Sequence, residues 1–158
     1  TFELNVKSQV HTCRAVVPHL QKQQSGKIIN IASIGGKKAM ASNTPYGSSK
    51  AGVIYFTKAL AFELGRDNIN VNCVCPGAVY TPTFAGLIDR YMLSAEAKAK
   101  GMTPRDFFEK FMIPSSPLKR EITTRDVGRS VVFLASERAR NITGQTINIS
   151  AGTALDID

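Results

Sequence analysis

The sequence contains 158 residues, of which 43% are hydrophobic and 20% are charged, a composition typical of an ordinary soluble globular protein. This length fits one domain with a sizeable core, and no apolar stretch approaches the ~20 residues that a membrane-spanning helix needs. The formal net charge of +8 is spread over dispersed Lys and Arg residues. A nucleic-acid-binding module would show a clustered basic stripe, so a phosphorylated cofactor or substrate, or a charge-skewed fragment, explains the charge better.

Hydrophobic periodicity predicts helices that alternate with short apolar strands. Helices are expected at 1–23, 46–64, 86–99, 104–112 and 124–138, and strands at 27–32, 69–74 and 145–149. Ser25-Gly26 and Gly65 are expected to end the first two helices, and Thr103 is expected to cap a helix that begins at Pro104. Alternation of this kind implies crossover connections. The predicted fold is therefore α/β, a doubly wound parallel sheet of the Rossmann-like kind, in one domain over 1–158.

Two further predictions follow, one from the first residues of the chain and one from its cysteines. The first residues contain neither an initiator Met nor a secretory signal, so we expect a chain cut at its front end and an incomplete record of the domain. Cys13, Cys73 and Cys75 lack the spacing of metal ligands. Buried free thiols are the expected state, with a zinc site or a disulfide as the alternative, and this usage fits a reducing cytoplasm.

The segment 78–120 differs from the rest of the chain because it is long and contains several prolines. Connections of this length inside compact α/β domains are usually functional. We therefore predict a substrate-binding loop or lid. Its large side chains either contact a ligand or simply pack against one another; they are Tyr91, Met92, Met102, Phe107, Phe108, Phe111 and Met112.

Tyr46 and Lys50 lie at positions i and i+4 of the second predicted helix, and residues with that spacing share one face. A phenol normally loses its proton only near pH ~10, but an ammonium beside its oxygen favours the phenolate. A hydroxyl such as that of Ser33, at the end of the preceding strand, could then hold a substrate oxygen while Tyr46 exchanges a proton. A surface Tyr–Lys pair and a turn serine are the alternative interpretations.

Five ordered motifs, taken together, resemble the short-chain dehydrogenase/reductase family over nearly the whole chain. The motifs are Leu4-Asn5-Val6, Ile29-Asn30-Ile31-Ala32-Ser33, Tyr46-Gly47-Ser48-Ser49-Lys50-Ala51, Val71-Asn72-Cys73-Val74-Cys75-Pro76-Gly77 with Thr81, and Phe133-Leu134-Ala135-Ser136 leading to Ile142-Thr143-Gly144-Gln145.

The resemblance implies a catalytic role for four residues. Tyr46 would be the general acid/base, and Lys50 would ease its ionisation and hydrogen-bond the cofactor ribose. Ser33 would orient the reacting oxygen. Asn5 would tie a water molecule to Lys50 for proton relay, although a solvated polar position is the alternative for an Asn inside a helix.

The resemblance also implies contacts with the nicotinamide half of the cofactor. Pro76 and Gly77 match the loop beside the ring, where a small residue allows close backbone approach. Val79 would meet the carboxamide through its backbone and Thr81 through its hydroxyl, with a helix N-cap as the alternative role for Thr81. Two departures stand out: the glycine-rich phosphate loop is absent from this sequence, and Asn148-Ile149-Ser150-Ala151-Gly152 replaces the usual Asp-Gly-Gly ending.

The implied function is an NAD- or NADP-dependent oxidoreductase acting on a small secondary alcohol or ketone, without a metal. A cytoplasmic homo-oligomer, a dimer or tetramer built on helices 1–23 and 46–64, would fit similar enzymes, with no nucleic-acid or membrane partner. The isolated 1–158 segment is expected to be inactive. The alternative is a non-catalytic relative that binds nucleotide or protein, which would have no need of Asn5, Ser33, Tyr46 and Lys50 together.

Overall fold

The computed structural model describes residues 1–39, 41 and 43–155. Within them, three strands form one parallel sheet in the order β1-β2-β3, and their bounds are β1 Gly26–Ile31, β2 Ile69–Pro76 and β3 Thr146–Ile149. The longer helices are α1 (Ser8–Gln23), α2 (Thr44–Leu64) and α6 (Thr124–Ala135); the shorter ones are α3 (Pro82–Leu87), α4 (Ala95–Ala99) and α5 (Pro104–Phe107). The predicted parallel sheet with alternating helices is confirmed.

Helices cover both faces of the sheet, as the doubly wound prediction requires. On one face, Val71, Cys73 and Cys75 of β2 pack beneath α1 and α2. On the other face, Val74 packs against Leu134 of α6. Because successive strand residues point to opposite faces, β2 is buried along almost its whole length. The three free cysteines are all buried, which confirms the predicted state of their thiols.

Buried amide groups fix the position of β2 where its backbone meets loops. Asn72, which is almost completely buried, donates to the Ile142 carbonyl oxygen at 2.7 Å and accepts from the Gln145 backbone N–H at 3.0 Å. Asn30 of β1 donates to Thr57 Oγ1 of α2 at 2.9 Å. These hydrogen bonds satisfy polar groups that would otherwise be costly to bury. They tie α2 and the α6–β3 connection to the sheet.

The first two long helices end where the sequence predicts, at Gln23 and at Leu64 with Gly65 as the C-cap, but other residues supply the left-handed turns. The chain leaves α1 through Gln24, whose φ of 50° is left-handed, whereas Gly26 already belongs to β1 and packs against Leu20. After α2, Gly65 begins a 3₁₀ turn and Asn68 is the left-handed residue, with φ of 57°. Left-handed residues end helices because they redirect the chain, and amide side chains tolerate that conformation.

The 78–120 segment forms a small subdomain with its own core of Ile88, Leu93 and Phe108. The helix predicted at 86–99 is wrong as one element: α3 continues as a π-turn at Ile88–Met92, the chain becomes extended at Leu93, and Ser94 caps the separate helix α4. The predicted start at Thr103-Pro104 is confirmed by a reciprocal capping pair between Thr103 and Asp106. None of the helices in the described part of the chain could span a bilayer.

The loop after β1 packs unusually closely against α2. A Cβ atom on Gly36 would lie 2.6 Å from the Lys50 carbonyl carbon and 2.7 Å from the Ala51 nitrogen. On Gly47, a Cβ atom would lie 2.9 Å from the Gly35 carbonyl oxygen. These distances are too short for any side chain, so both glycines are required where the loop and the helix cross.

We expect Gly36→Ala to lower the free energy of unfolding by about 1–3 kcal/mol, because the methyl group would push the loop away from the α2 backbone. Gly128→Ala in α6 is the matched control: its added Cβ meets nothing within 4 Å, so helix propensity should raise stability by about 0.5–1 kcal/mol. Urea unfolding of both variants measures the two shifts. A Gly36→Ala protein as stable as the parent would contradict the predicted close approach.

Candidate active site

The three parallel strands end at one edge of the sheet, and the predicted site residues gather there. At this edge the Ala32 N–H donates to the Val74 carbonyl at 2.9 Å, and the Gly77 N–H donates to the Ile149 carbonyl at 2.9 Å. In open α/β sheets, ligands bind outside the carboxyl ends of the strands. The geometry therefore places the candidate site beyond the ends of β1 and β2.

Ser33 lies immediately beyond β1 and caps a 3₁₀ turn at Ile34–Gly36, with its Oγ accepting from the Gly35 N–H at 3.1 Å. The alternative interpretation of Ser33 as a turn residue is therefore correct. This bond leaves hydrogen-bonding capacity on the Ser33 hydroxyl, which still has one donor proton and a second acceptor position. The half-buried Ser33 is held in one orientation with a proton to donate.

Lys50 reaches from α2 back to the end of β1. Its ammonium group donates to the Ile31 carbonyl oxygen at 3.1 Å and lies 5.9 Å from the centroid of the Tyr46 ring. That separation falls within the range of a cation–π contact, and it confirms that the two side chains share one helix face. A single ammonium has three donors, so the bond to Ile31 leaves donor capacity at the mouth of the site.

Burial lowers the pKa of Lys50 from its ordinary value of 10.5, and the neighbouring sulfur atoms of Cys73 and Cys75 oppose that shift. The two thiols lie on the same face of β2, beneath the lysine. Their mutual hydrogen bond lowers the pKa of Cys73 and raises that of Cys75. Lys50 is therefore a partly desolvated cation whose charge acts at short range on groups beside it.

Asn5 approaches the site from a π-helical turn, Glu3–Lys7, that leads directly into α1. Its Nδ2 donates to Ser49 Oγ at 3.0 Å, and Ser49 Oγ donates to the Tyr46 carbonyl oxygen at 2.7 Å. The fully buried Ser49 thus links Asn5 to the backbone of Tyr46. π-turns are rare and often mark functional sites. The sequence did not indicate a role for Ser49, because only the fold brings Asn5 beside α2.

The residues predicted beside the nicotinamide lie at and beyond the end of β2. Pro76 pairs with Ile149 of β3, and a Cβ on Gly77 would lie 3.0 Å from Ile122 Cδ1 and 3.1 Å from Ser150 Cα. Val79 forms a parallel bridge with Ile122, a partner that the sequence did not indicate.

Thr81 caps α3 by accepting from the Phe84 N–H at 3.2 Å, so its alternative role as an N-cap is real. The hydroxyl keeps a proton that it could still donate to a ligand.

The predicted residues thus form two groups on neighbouring strand ends. One group lies around the end of β1 and contains Asn5, Ser33, Tyr46 and Lys50. The other begins at Pro76, the last residue of β2, and continues to Thr81. The parallel pairing of Ile31 with Val74 holds the two strand ends in register.

Comparisons with known proteins identify the family. A family model described as enoyl-(acyl carrier protein) reductase matches residues 1–154. A 3-oxoacyl-[acyl-carrier-protein] reductase of Chlamydia pneumoniae is 39% identical over 94% of this chain and 53% of its own length. A D-beta-hydroxybutyrate dehydrogenase of Rhizobium meliloti is 32% identical over 94% of this chain and 56% of its own length. This chain therefore spans about half the length of the curated relatives it matches.

The fold likewise has close counterparts among solved structures. L-sorbose reductase of Gluconobacter frateurii, solved in complex with NADPH and L-sorbose, aligns with a TM-score of 0.88 and 29% identity. The alignment covers 99% of this chain and 57% of that enzyme.

The lowered pKa of Lys50 can be observed directly by NMR titration of isotope-labelled lysine side chains, with Lys50→Met identifying the Lys50 signal by its loss. We expect that signal to titrate below 10.5. Between the folded pKa and 10.5 the unfolded chain binds more protons, so Lys50 makes the free energy of unfolding rise with pH across this interval. A Lys50 signal that titrates at or above its ordinary value would contradict the described burial.

Proposed function

Because the chain belongs to the short-chain dehydrogenase/reductase family, we propose that the protein containing it is an NAD(P)-dependent oxidoreductase that interconverts a secondary alcohol and a ketone. The observation that carries this proposal is the arrangement at the end of β1: Lys50 faces Tyr46 on α2, and the loop bearing Ser33 is packed against the same helix turn. A proton-transfer group, a cation and a hydrogen-bond donor are thereby assembled in one place.

The residues present fit the nicotinamide half of the cofactor. Lys50 has donors beyond its bond to Ile31 and could hold ribose hydroxyl groups, while the Val79 backbone and the Thr81 hydroxyl could hold the carboxamide. The NADPH in the L-sorbose reductase structure supports a cofactor of this class. Bound NAD(P) would supply the hydride donor or acceptor at C4 of the nicotinamide.

In the oxidation direction, Tyr46 as phenolate takes the proton of the substrate hydroxyl, and in reduction it gives a proton to the carbonyl oxygen. Ser33 holds that oxygen with its hydroxyl proton. The Lys50 ammonium stabilises the negative charge on Tyr46, and Ser49 ties the Tyr46 backbone to Asn5. Asn5 is proposed to support proton exchange with solvent through ordered water near Lys50.

The exposed faces of α1 and α2 support a homo-oligomer, and we propose a dimer or tetramer in the cytoplasm. Phe62 is 92% exposed and Tyr55 is 75% exposed on α2, and Leu4 is 77% exposed just before α1. Large apolar side chains this exposed are the kind of surface that a protein–protein interface covers. The long segment 78–120, which lies beyond the end of β2, is proposed to bind the substrate.

Tyr46→Phe should lower turnover by about 10²–10⁴-fold, because it removes the proton that is exchanged while keeping the ring. Cofactor affinity should change little. The matched control is Tyr55→Phe, which removes the hydroxyl of an exposed tyrosine on the same helix. Reduction of a carbonyl panel with NADH or NADPH, followed at the nicotinamide absorbance, measures turnover.

Retained turnover in Tyr46→Phe would exclude Tyr46 from the mechanism. If the parent protein binds a nicotinamide cofactor but reduces none of the carbonyl compounds and oxidises none of the corresponding alcohols, the non-catalytic alternative is favoured instead.

A further inference from the structure

Arg105 connects parts of the 78–120 segment that are distant in sequence. From α5, its Nη1 and Nη2 donate to the two carboxylate oxygens of Glu121 at 2.7 Å each, and its Nε donates to Glu109 at 2.6 Å. Bidentate pairs between Arg and a carboxylate are strong and geometrically specific. The guanidinium group is thus fixed in one plane by two acidic residues.

The same guanidinium group lies against aromatic rings. It is 5.0 Å from the centroid of Tyr80 and 5.8 Å from that of Phe108. The Tyr80 and Phe108 rings are themselves 5.3 Å apart, and Phe84 makes an edge contact with Phe108 at 6.1 Å. Phe108 is only 1% exposed, so this aromatic cluster is anchored in the core of the segment. We call Arg105, Glu121, Tyr80 and Phe108 the Arg105 clasp.

The clasp encloses the stretch that follows β2. Tyr80 stands between Val79 and Thr81, and Glu121 directly precedes Ile122, the residue that pairs with Val79. Arg105 therefore contacts the residue next to each partner of the Val79–Ile122 bridge. It lies against the ring of Tyr80, which follows Val79, and it binds the carboxylate of Glu121, which precedes Ile122. The bond to Arg105 lowers the pKa of Glu121, so the ion pair persists below the pH at which an ordinary glutamate becomes neutral.

We propose that Arg105 is a positioning residue that holds Val79–Thr81 in the conformation that receives the nicotinamide carboxamide. This inference rests on the proposed function, which assigns Val79 and Thr81 to that group. We assign Arg105 no direct contact with substrate or cofactor. We expect its effect to fall on the nicotinamide half of the cofactor, because its contacts lie beside Val79 and Thr81.

The test compares Arg105→Met with Arg90→Met in the intact protein. Arg90 is the matched control because it is an exposed arginine of the same segment that lies over one aromatic ring, Tyr91, at 6.0 Å. Calorimetry measures the Kd of the oxidised dinucleotide, NAD or NADP, and of its fragment lacking nicotinamide, ADP-ribose or its 2′-phosphate.

Arg105→Met should raise the Kd of the dinucleotide about tenfold and that of the fragment less than about twofold. Glu121→Gln should act in the same direction. Arg90→Met should change neither constant. Equal weakening of dinucleotide and fragment, or no weakening of either, would overturn the proposal.

Hydrogen exchange without ligand provides a measurement that does not depend on the proposed function. We expect amide exchange over 79–84 to be at least about tenfold faster in Arg105→Met than in the parent, with β1 and β2 unchanged. Unchanged exchange over 79–84 would overturn the positioning role. A parent protein that binds no dinucleotide would refute the proposed function, and the exchange result would still decide whether Arg105 orders this stretch.

Discussion

The candidate site depends on the absence of side chains where the loop after β1 crosses α2. Gly36 faces the Lys50 and Ala51 backbone, and Gly47 faces the Gly35 carbonyl oxygen, at distances that leave no room for a Cβ atom. This contact sets how far Ser33, on the loop, lies from Tyr46 and Lys50, on the helix. Because general acid/base chemistry requires groups within hydrogen-bonding reach of one substrate oxygen, a small displacement here would separate the proposed partners.

Further hydrogen bonds hold the turn of α2 that bears Tyr46 and Lys50. Asn5 bonds to Ser49, Ser49 bonds to the Tyr46 carbonyl, and Lys50 bonds to the end of β1. The partly desolvated ammonium acts at short range in a medium less polar than water, where charge interactions are stronger. At the end of β2, the Arg105 clasp holds the conformation of Val79–Thr81 in a similar way. Both groups of the site are therefore held in place by hydrogen bonds and packing contacts within the protein.

Much of this arrangement could be predicted from the sequence, because hydrophobic periodicity and the spacing of nearby residues determine it. The alternation of helix and strand, the shared face of Tyr46 and Lys50, and the Thr103-Pro104 helix start are all local features. The residues that were missed, Ser49, Ile122 and Arg105, act through partners far away in sequence. The helix predicted at 86–99 was wrong because Leu93 turns into the core and Ser94 starts a new helix, a tertiary choice that periodicity alone does not reveal.

A crystal structure of the intact protein bound to its nicotinamide cofactor and a small ketone or secondary alcohol would test the proposed site. We expect one ligand oxygen within about 2.6–3.2 Å of both Ser33 Oγ and Tyr46 Oη, with the Lys50 ammonium beside the same tyrosine. A ligand oxygen that contacts only one of the two hydroxyl groups, or a Lys50 side chain turned away from Tyr46, would show that these three residues do not act together.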